Sequence, residues 1–322
     1  MRRWLLGGLI AGIAMPVWAD PPVDALQWLN RVTAAAKSVS YTGTFIYQSG
    51  AKTEISRITH LAEAGHELER LEVLDGSPRE VLRDNDVVKC FLPESRLLIV
   101  ERRKGHHGQT FPALLPASLT GLTEHYTIRK GSTARVAGLE SQAILIEPKD
   151  DLRYGHQFWI DSGSGLLLKA GLINERGETL ETFAFTDLRV GGPVDRNALK
   201  PHVDTEGGDW TVRDVRTSES RGDNSPWQFR AQLPGFRKVM GMKRQGQPDM
   251  PEMTHVVFSD GLAAISVFIE PLNGRTPETG AFAMGAVNVF KRVAVDYVFV
   301  VMGDVPPTSL KKLAEGIEVK SK

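Results

Sequence analysis

Between Tyr41 and Val190 the chain falls into short runs in which apolar and polar residues alternate, separated by gaps of only a few residues. In "YTGTFIYQSG", Tyr41, Gly43, Phe45 and Tyr47 alternate with Thr42, Thr44 and Gln48, the period of a strand with one apolar face. Similar runs follow as "ISRITHL", "HELERLEVLD", "REVLRDND", "VVKCFLP" and "RLLIVER", divided by Ala64-Gly65, Asp75-Gly76-Ser77-Pro78 and Pro93-Glu94-Ser95. Such short spacers cannot hold crossover helices, so successive strands must pair antiparallel. A long antiparallel sheet with one greasy face either closes into a barrel or leaves a concave trough. Pattern alone leaves open whether the chain's own helices or something oily fills that trough.

The rest of the chain frames this sheet. "MRRWLLGGLIAGIAMPVWAD" places Arg2 and Arg3 before an apolar run too short to span a bilayer, with Val17 and Ala19 at a leader-peptidase site. Residues 1–19 therefore read as an export signal, with the mature chain starting at Asp20. "VDALQWLNRVTAAAK" spaces Leu26, Leu29, Val32 and Ala36 as one buried helical stripe. "FPALLPASLTGL" reads as a short helical piece packing through Leu114, Leu115, Leu119 and Leu122. Strands resume at "YTIRKG", "TARVAGL", "QAILIEP", "QFWID", "LLLKAGLIN" and "TLETFAFTDLRV". Residues 20–191 thus form one domain, 192–209 read as a Gly- and Pro-rich linker, and 210–322 read as a smaller sheet closed by a helix starting at Pro307 and Thr308.

Lysine plus arginine and aspartate plus glutamate each number 39, so no global field draws the chain to nucleic acid. Cys90 is the single cysteine, which excludes an intramolecular disulfide; its apolar neighbours make it a small buried hydrophobe. No GxSxG elbow, P-loop, HExxH helix or dinucleotide-binding glycine pattern is present, and no cofactor or metal is expected. His106 and His107 read as loop residues beside Arg102, Arg103 and Lys104, the densest positive run of the mature chain. The stretch "EPKDDLRYGHQFWIDSGSGLLLKAGL" gathers Asp150, Asp151, Arg153, His156, Asp161 and Ser164. It reads as a hairpin turned by Ser162-Gly163-Ser164-Gly165, with Arg153 paired to a nearby carboxylate at the sheet edge. A Ser164–His156–Asp161 triad is arithmetically available but lacks an oxyanion hole.

Several stretches carry a resemblance: "YTGTFIYQSG", "ELERLEVLDGSPREVLRDNDVVKCFLPE", "FPALLP", the hairpin just quoted, "PGFRKV", "FSDGLAAISVFIEP" and "GDVPPTSLKKLAEGIE". In order and spacing they resemble the periplasmic sigma-E regulators of the RseB/MucB family, over nearly the whole mature chain. The resemblance implies a mainly β, α+β protein: an unclosed antiparallel barrel of lipoprotein-carrier type around helices, then a small C-terminal α+β domain. It also implies a non-enzymatic periplasmic protein whose partner is the periplasmic domain of a transmembrane anti-sigma factor. That segment would be shielded from site-one protease and released by lipid or lipopolysaccharide. A homo-oligomer is compatible with the pattern. The alternatives are a periplasmic lipid or lipoprotein carrier without an anti-sigma partner, and a hydrolase hidden in the hairpin. For lipid, the expected inward set is Phe45, Tyr47, Leu71, Val73, Phe91 and Leu98, with Arg102 and Arg103 near a headgroup. For the partner, the expected contacts are Phe236, Phe258, Ser259, Asp260 and Gly261.

Overall fold

The computed structural model describes residues 22–102, 115, 119, 121–205, 208–216, 226–231, 233–244 and 252–320. The export signal, Arg103, His106, His107 and Leu114 lie outside these residues. The first part runs α1 (Pro22–Ser38), β1 (Tyr41–Ser49), β2 (Lys52–Glu63), β3 (His66–Val73), β4 (Glu80–Asp84), β5 (Val87–Leu92), β6 (Leu97–Arg102), α2 (Leu122–His125), β7 (Tyr126–Val136), β8 (Leu139–Pro148), β9 (Gly155–Asp161), β10 (Leu167–Ile173), β11 (Thr179–Val190) and β12 (Thr211–Arg216). The second runs β13 (Trp227–Phe229), β14 (Arg237–Arg244), β15 (Met253–Ser259), β16 (Ala264–Pro271), β17 (Gly280–Met284), β18 (Val287–Ala294), β19 (Tyr297–Gly303), α3 (Pro307–Glu315) and β20 (Ile317–Val319).

The first sheet has twelve strands in the order β12-β6-β5-β4-β3-β2-β1-β11-β10-β9-β8-β7. Two antiparallel meanders, β1–β6 and β7–β11, are joined where β1 pairs with β11. Strands β12 and β7 end the order without pairing to each other, so the barrel is open, as the resemblance implied. Helix α1 lies on the inner face, with Asp24 in its first turn and Lys37 in its last complementing the helix dipole. Its buried Leu29, Val32 and Ala36 join Tyr41, Phe45, Ile58, Ile144 and Phe158 in one core, and Leu115 and Leu122 complete it. Phe45, Phe183 and Phe185 meet edge to face at 5.0–6.0 Å between ring centres.

Two sequence expectations differ from this geometry. "YTIRKG" and "TARVAGL" are one strand, β7, because the Gly131-Ser132 break is a shift of register between Lys130 and Thr133 rather than a turn. The Gln142 side chain donates to the carbonyl of Gly131 at 2.7 Å, satisfying the backbone the irregularity frees. The second unit was expected to begin near Trp210, yet β12 adds to the first sheet, parallel to β6. What precedes it is not slack chain. Arg70, 5% exposed on the outside of the sheet, pairs with Glu80, bonds His202 Nδ1 at 2.7 Å and reaches the carbonyl of Ala198, while Glu80 accepts the His202 amide. The segment is thus clamped along the outer face before the chain crosses over.

The second unit is a six-stranded antiparallel sheet, β14-β15-β16-β19-β18-β17, with α3 on one face and the β13–β20 pair beside it. Its core is Val256, Ile265, Val267, Phe299, Val301, Leu310 and Leu313, capped by Trp227. The two units interlock. Leu262, on the β15–β16 turn, is buried in the first unit's core cluster, while Leu152 of the first unit packs against the second unit's core. Among the described residues no helix is long and apolar enough to cross a membrane. Truncating Leu262→Ala removes this plug and is expected to cost about 2–4 kcal/mol. Differential scanning calorimetry should then show one unfolding transition dividing in two, whereas an unmoved single transition would show that Leu262 does not couple the units.

Candidate functional site

Strand register decides which residues share the concave face. The rows Gly43–Ile58–Leu71–Val81–Cys90–Ile99 and Phe45–Ser56–Val73 place Phe45, Tyr47, Leu71 and Val73 inward. The row Glu72–Glu80–Phe91–Leu98 faces the other way. The expected six-residue face is therefore split: Phe91 and Leu98 point outward, and buried Phe91 meets the Trp210 ring edge-on at 6.5 Å. Arg102 shares the parity of Leu98, at the exposed end of β6. The reason is physical, since one residue of offset exchanges every side chain between faces, and the Leu74–Arg79 connection sets that offset. Cys90 is inward and half-buried, its thiol pushed up by burial.

Helix α1 covers the half of the trough nearest β7 and β2. Over β3–β6 the inward Leu71, Val81, Cys90 and Ile99 stay half-buried. This is an apolar floor that no described helix covers. At its inner end lies a polar row, Tyr41–His60–Glu69–Arg83, read straight across four strands. The His60 ring stacks on Tyr41 at 5.1 Å, its Nδ1 contacts the Val39 carbonyl at 3.0 Å, and burial lowers its pKa. Burial pushes Glu69 up to about 7 despite Arg83 at 3.3 Å.

The second feature is a charged latch between the units. Arg153 and Asp260 are each 0% exposed and pair at 2.6 Å. The Asp260 carboxylate also accepts the Tyr126 hydroxyl at 2.8 Å and the amides of Leu262 and Ala263 at 2.9 Å. Arg153 further holds Asp150 at 2.9 and 3.1 Å and donates to the Pro234 carbonyl. Its guanidinium lies 5.0 Å from the Phe236 ring centre and 5.5 Å from that of Tyr126. Burial alone would lower the Arg153 pKa, but Asp150 and Asp260 outweigh it and raise it. Sequence reading gave Arg153 a neighbouring carboxylate, and Asp150 is one; the partner in the other unit was invisible to it.

The expected partner contacts sit around this latch. Ser259 and Asp260 shape the turn by accepting the Gly261, Leu262 and Ala263 amides, and Gly261 occupies the left-handed region at φ +104°. Phe236 lies under Arg153, and Phe258 meets Phe229 edge-on at 5.0 Å beside the second core. Beside the latch, a cleft of about 650 Å³ is walled by Glu147, Asp151, His156, Asn174, Glu175 and the Pro306–Thr308 entry to α3. Burial brings the His156 pKa down to about 4, so its imidazole stays neutral.

The Ser164–His156–Asp161 triad that the sequence made available is not assembled. The Ser164 hydroxyl donates to Asp161 at 2.6 Å to fix the hairpin, while His156 lies five residues from Asp161, about 17 Å along a strand. Glu72, Glu80 and His202 have metal-ligand spacing, but Arg70 already sits among them as their counter-charge.

Comparison with known proteins agrees with this two-unit architecture. The family model described as MucB/RseB N-terminal domain matches residues 24–203, and that described as MucB/RseB C-terminal domain matches 221–318. The sigma factor AlgU regulatory protein MucB of Pseudomonas aeruginosa is 31% identical, over 96% of this chain and 95% of its own length. The sigma-E factor regulatory protein RseB of Escherichia coli K12 is 24% identical, over 98% of each chain. Among solved structures, the Pseudomonas aeruginosa MucA/MucB complex aligns with a TM-score of 0.74 at 28% identity, covering 93% of this chain and 100% of that one. A crystal structure of MucB aligns with a TM-score of 0.65 at 27% identity, covering 92% of this chain and 98% of that one. The paired domain matches, in order and spanning nearly all of the described residues, make the chain a member of the MucB/RseB family.

Proposed function

We propose that this chain is a periplasmic negative regulator of a sigma-E-type envelope stress response. It binds the periplasmic part of a membrane-spanning anti-sigma factor, shields it from site-one proteolysis, and lets go when lipid or lipopolysaccharide occupies the trough. The observation that carries the reading is full-length similarity to MucB, which has been crystallised with the periplasmic part of MucA. Both family domains are present and interlocked, and a second domain is surplus to a simple lipid carrier.

The latch supplies a mechanism. Lipid in the trough and an anti-sigma segment held by both units prefer different domain arrangements, so each weakens the other by linkage. In this scheme Arg153 and Asp260 hold the units in the arrangement that grips the partner, and the segment clamped by Arg70 limits how far they separate. Inward Phe45, Tyr47, Leu71 and Val73 contact lipid. The cleft beside His156 and the surface around Phe236 accept the partner.

Two measurements test this. Calorimetric titration with the periplasmic domain of the cognate anti-sigma factor should give saturable binding that added lipopolysaccharide weakens at least tenfold. Binding unaffected by saturating lipid contradicts the release step, and lipid binding with no anti-sigma affinity favours the carrier alternative. Removing one latch partner by Asp260→Ala leaves Arg153 buried without its inter-unit counter-charge and should cost about 3–5 kcal/mol of stability. A double-mutant cycle with Arg153→Met should recover a large part of that loss, whereas additive losses would show the two side chains act independently.

A further inference from the structure

The cleft of about 650 Å³ beside the latch is lined from both units, by the ends of β8, β9 and β10 on one side and by the Pro306–Thr308 entry to α3 on the other. Anything seated in it touches both. Its charge is one-sided. Four carboxylates line it, Glu147, Asp150, Asp151 and Glu175, against a single guanidinium, Arg153. Two of the four are already matched, since Glu147 pairs with Arg129 at 2.6 Å and Asp150 with Arg153 at 2.9 Å. Arg153 is committed to Asp150 and Asp260. Asp151 and Glu175, both exposed, pair with no described residue, so the mouth of the cleft carries two unmatched negative charges.

A second observation separates this cleft from an ordinary solvated acidic face. The His156 ring walls it, is 8% exposed, and its Nε2 is buried without a hydrogen-bond partner. A neutral imidazole always keeps one nitrogen with a free lone pair, so the ring accepts an N–H from an occupant. The start of α3 does not turn the site toward anions. Pro306 and Pro307 have no N–H to offer, and the Ser309 amide already bonds the Pro306 carbonyl at 3.0 Å. A metal ion is also a poor fit, because among the described residues the side-chain ligand atoms here do not cluster at metal-binding spacing. Pro148, Ile173, Pro306 and Pro307 give the cleft apolar walls. Apolar walls with acceptors at the mouth suit a group that is aliphatic along its length and a cationic donor at its tip.

We propose that this cleft is the socket for a lysine or arginine side chain of the partner segment, with its methylenes along Pro148, Ile173 and Pro306 and its charge met by Asp151 and Glu175. His156 supplies a further acceptor. The inference rests on the anti-sigma reading above and adds the side-chain class that the inter-unit cleft takes. Because the walls come from both units, a basic side chain in the socket favours the arrangement that keeps them together.

The experiment has two arms, both on the full chain. In the first, Nα-acetyl-lysine methylamide and its uncharged analogue Nα-acetyl-norleucine methylamide are titrated while the amide resonances of Gly155, Glu175, Gly177 and Thr308 are followed by NMR. The lysine probe is expected to bind about fivefold tighter, as a partly solvated ion pair allows. Asp151→Asn combined with Glu175→Gln should erase that difference, and both side chains are exposed, so the variant keeps the fold. In the second arm, the periplasmic domain of the cognate anti-sigma factor is titrated calorimetrically against the unaltered protein and the same variant, which should bind it about fivefold more weakly. Equal binding of the two probes, or no shift of those amides with either, overturns the socket. A lysine preference with unchanged anti-sigma affinity in the variant overturns the assignment to the partner and leaves a site for free alkylammonium groups. Absence of anti-sigma binding to the unaltered protein overturns the regulatory reading itself, while the first arm still decides the chemistry of the cleft.

Discussion

A buried charge pair between two folded units is an expensive way to join them, and the Arg153–Asp260 contact sets the rest of the arrangement. Stripping water from both groups costs several kcal/mol each, which is recovered only with good geometry and every remaining donor and acceptor engaged. Here the geometry is good: Asp260 accepts from Arg153, Tyr126, Leu262 and Ala263, and Arg153 donates to Asp260, twice to Asp150, and to Pro234. Leu262 adds apolar burial but little direction; the charge pair adds direction. The turn that Asp260 shapes is the turn that carries Leu262, so releasing the charge withdraws the plug as well. Such an interface has discrete states rather than a continuum, and that property suits the release scheme proposed above.

The trough and the latch share parts. Tyr126 begins β7, supplies a hydroxyl to Asp260 and packs in the core that α1 completes. Tyr154 at the barrel rim accepts from Asn288 of the second unit at 3.0 Å, and Ser49 at the β1–β2 turn accepts the Ala286 amide at 3.0 Å. A ligand that shifts β1 or β7 therefore moves contacts with the second unit. Linkage asks little of this route: a tenfold change in partner affinity corresponds to about 1.4 kcal/mol, close to one net hydrogen bond.

The alternation in "YTGTFIYQSG" and the brevity of the gaps made an antiparallel meander legible, because period and loop length are local properties. The stripe of Leu29, Val32 and Ala36 likewise marked α1. Register was not legible, which is why Phe91 and Leu98 were grouped with Phe45 and Leu71 although the sheet turns them outward. The reach of Arg153 to Asp260, 107 residues away, has no local signal at all. Nor does the parallel addition of β12, whose sequence reads as the start of the second unit and whose place is fixed by backbone pairing and by Trp210 on Phe91. The Gly- and Pro-rich texture beyond Gly191 and the family resemblance both pointed to the two-unit plan, and the contacts between the units came from the coordinates.

The central claim is that partner and lipid read the same inter-unit arrangement. It is tested most directly by a distance across the latch, using spin labels at Asp86→Cys and Lys311→Cys with Cys90→Ala, measured by double electron–electron resonance. The account predicts one narrow distribution that the anti-sigma domain sharpens and that lipid displaces or broadens, with Asp260→Ala alone reproducing the effect of lipid. An identical distribution with partner, with lipid and in the Asp260→Ala protein would contradict it.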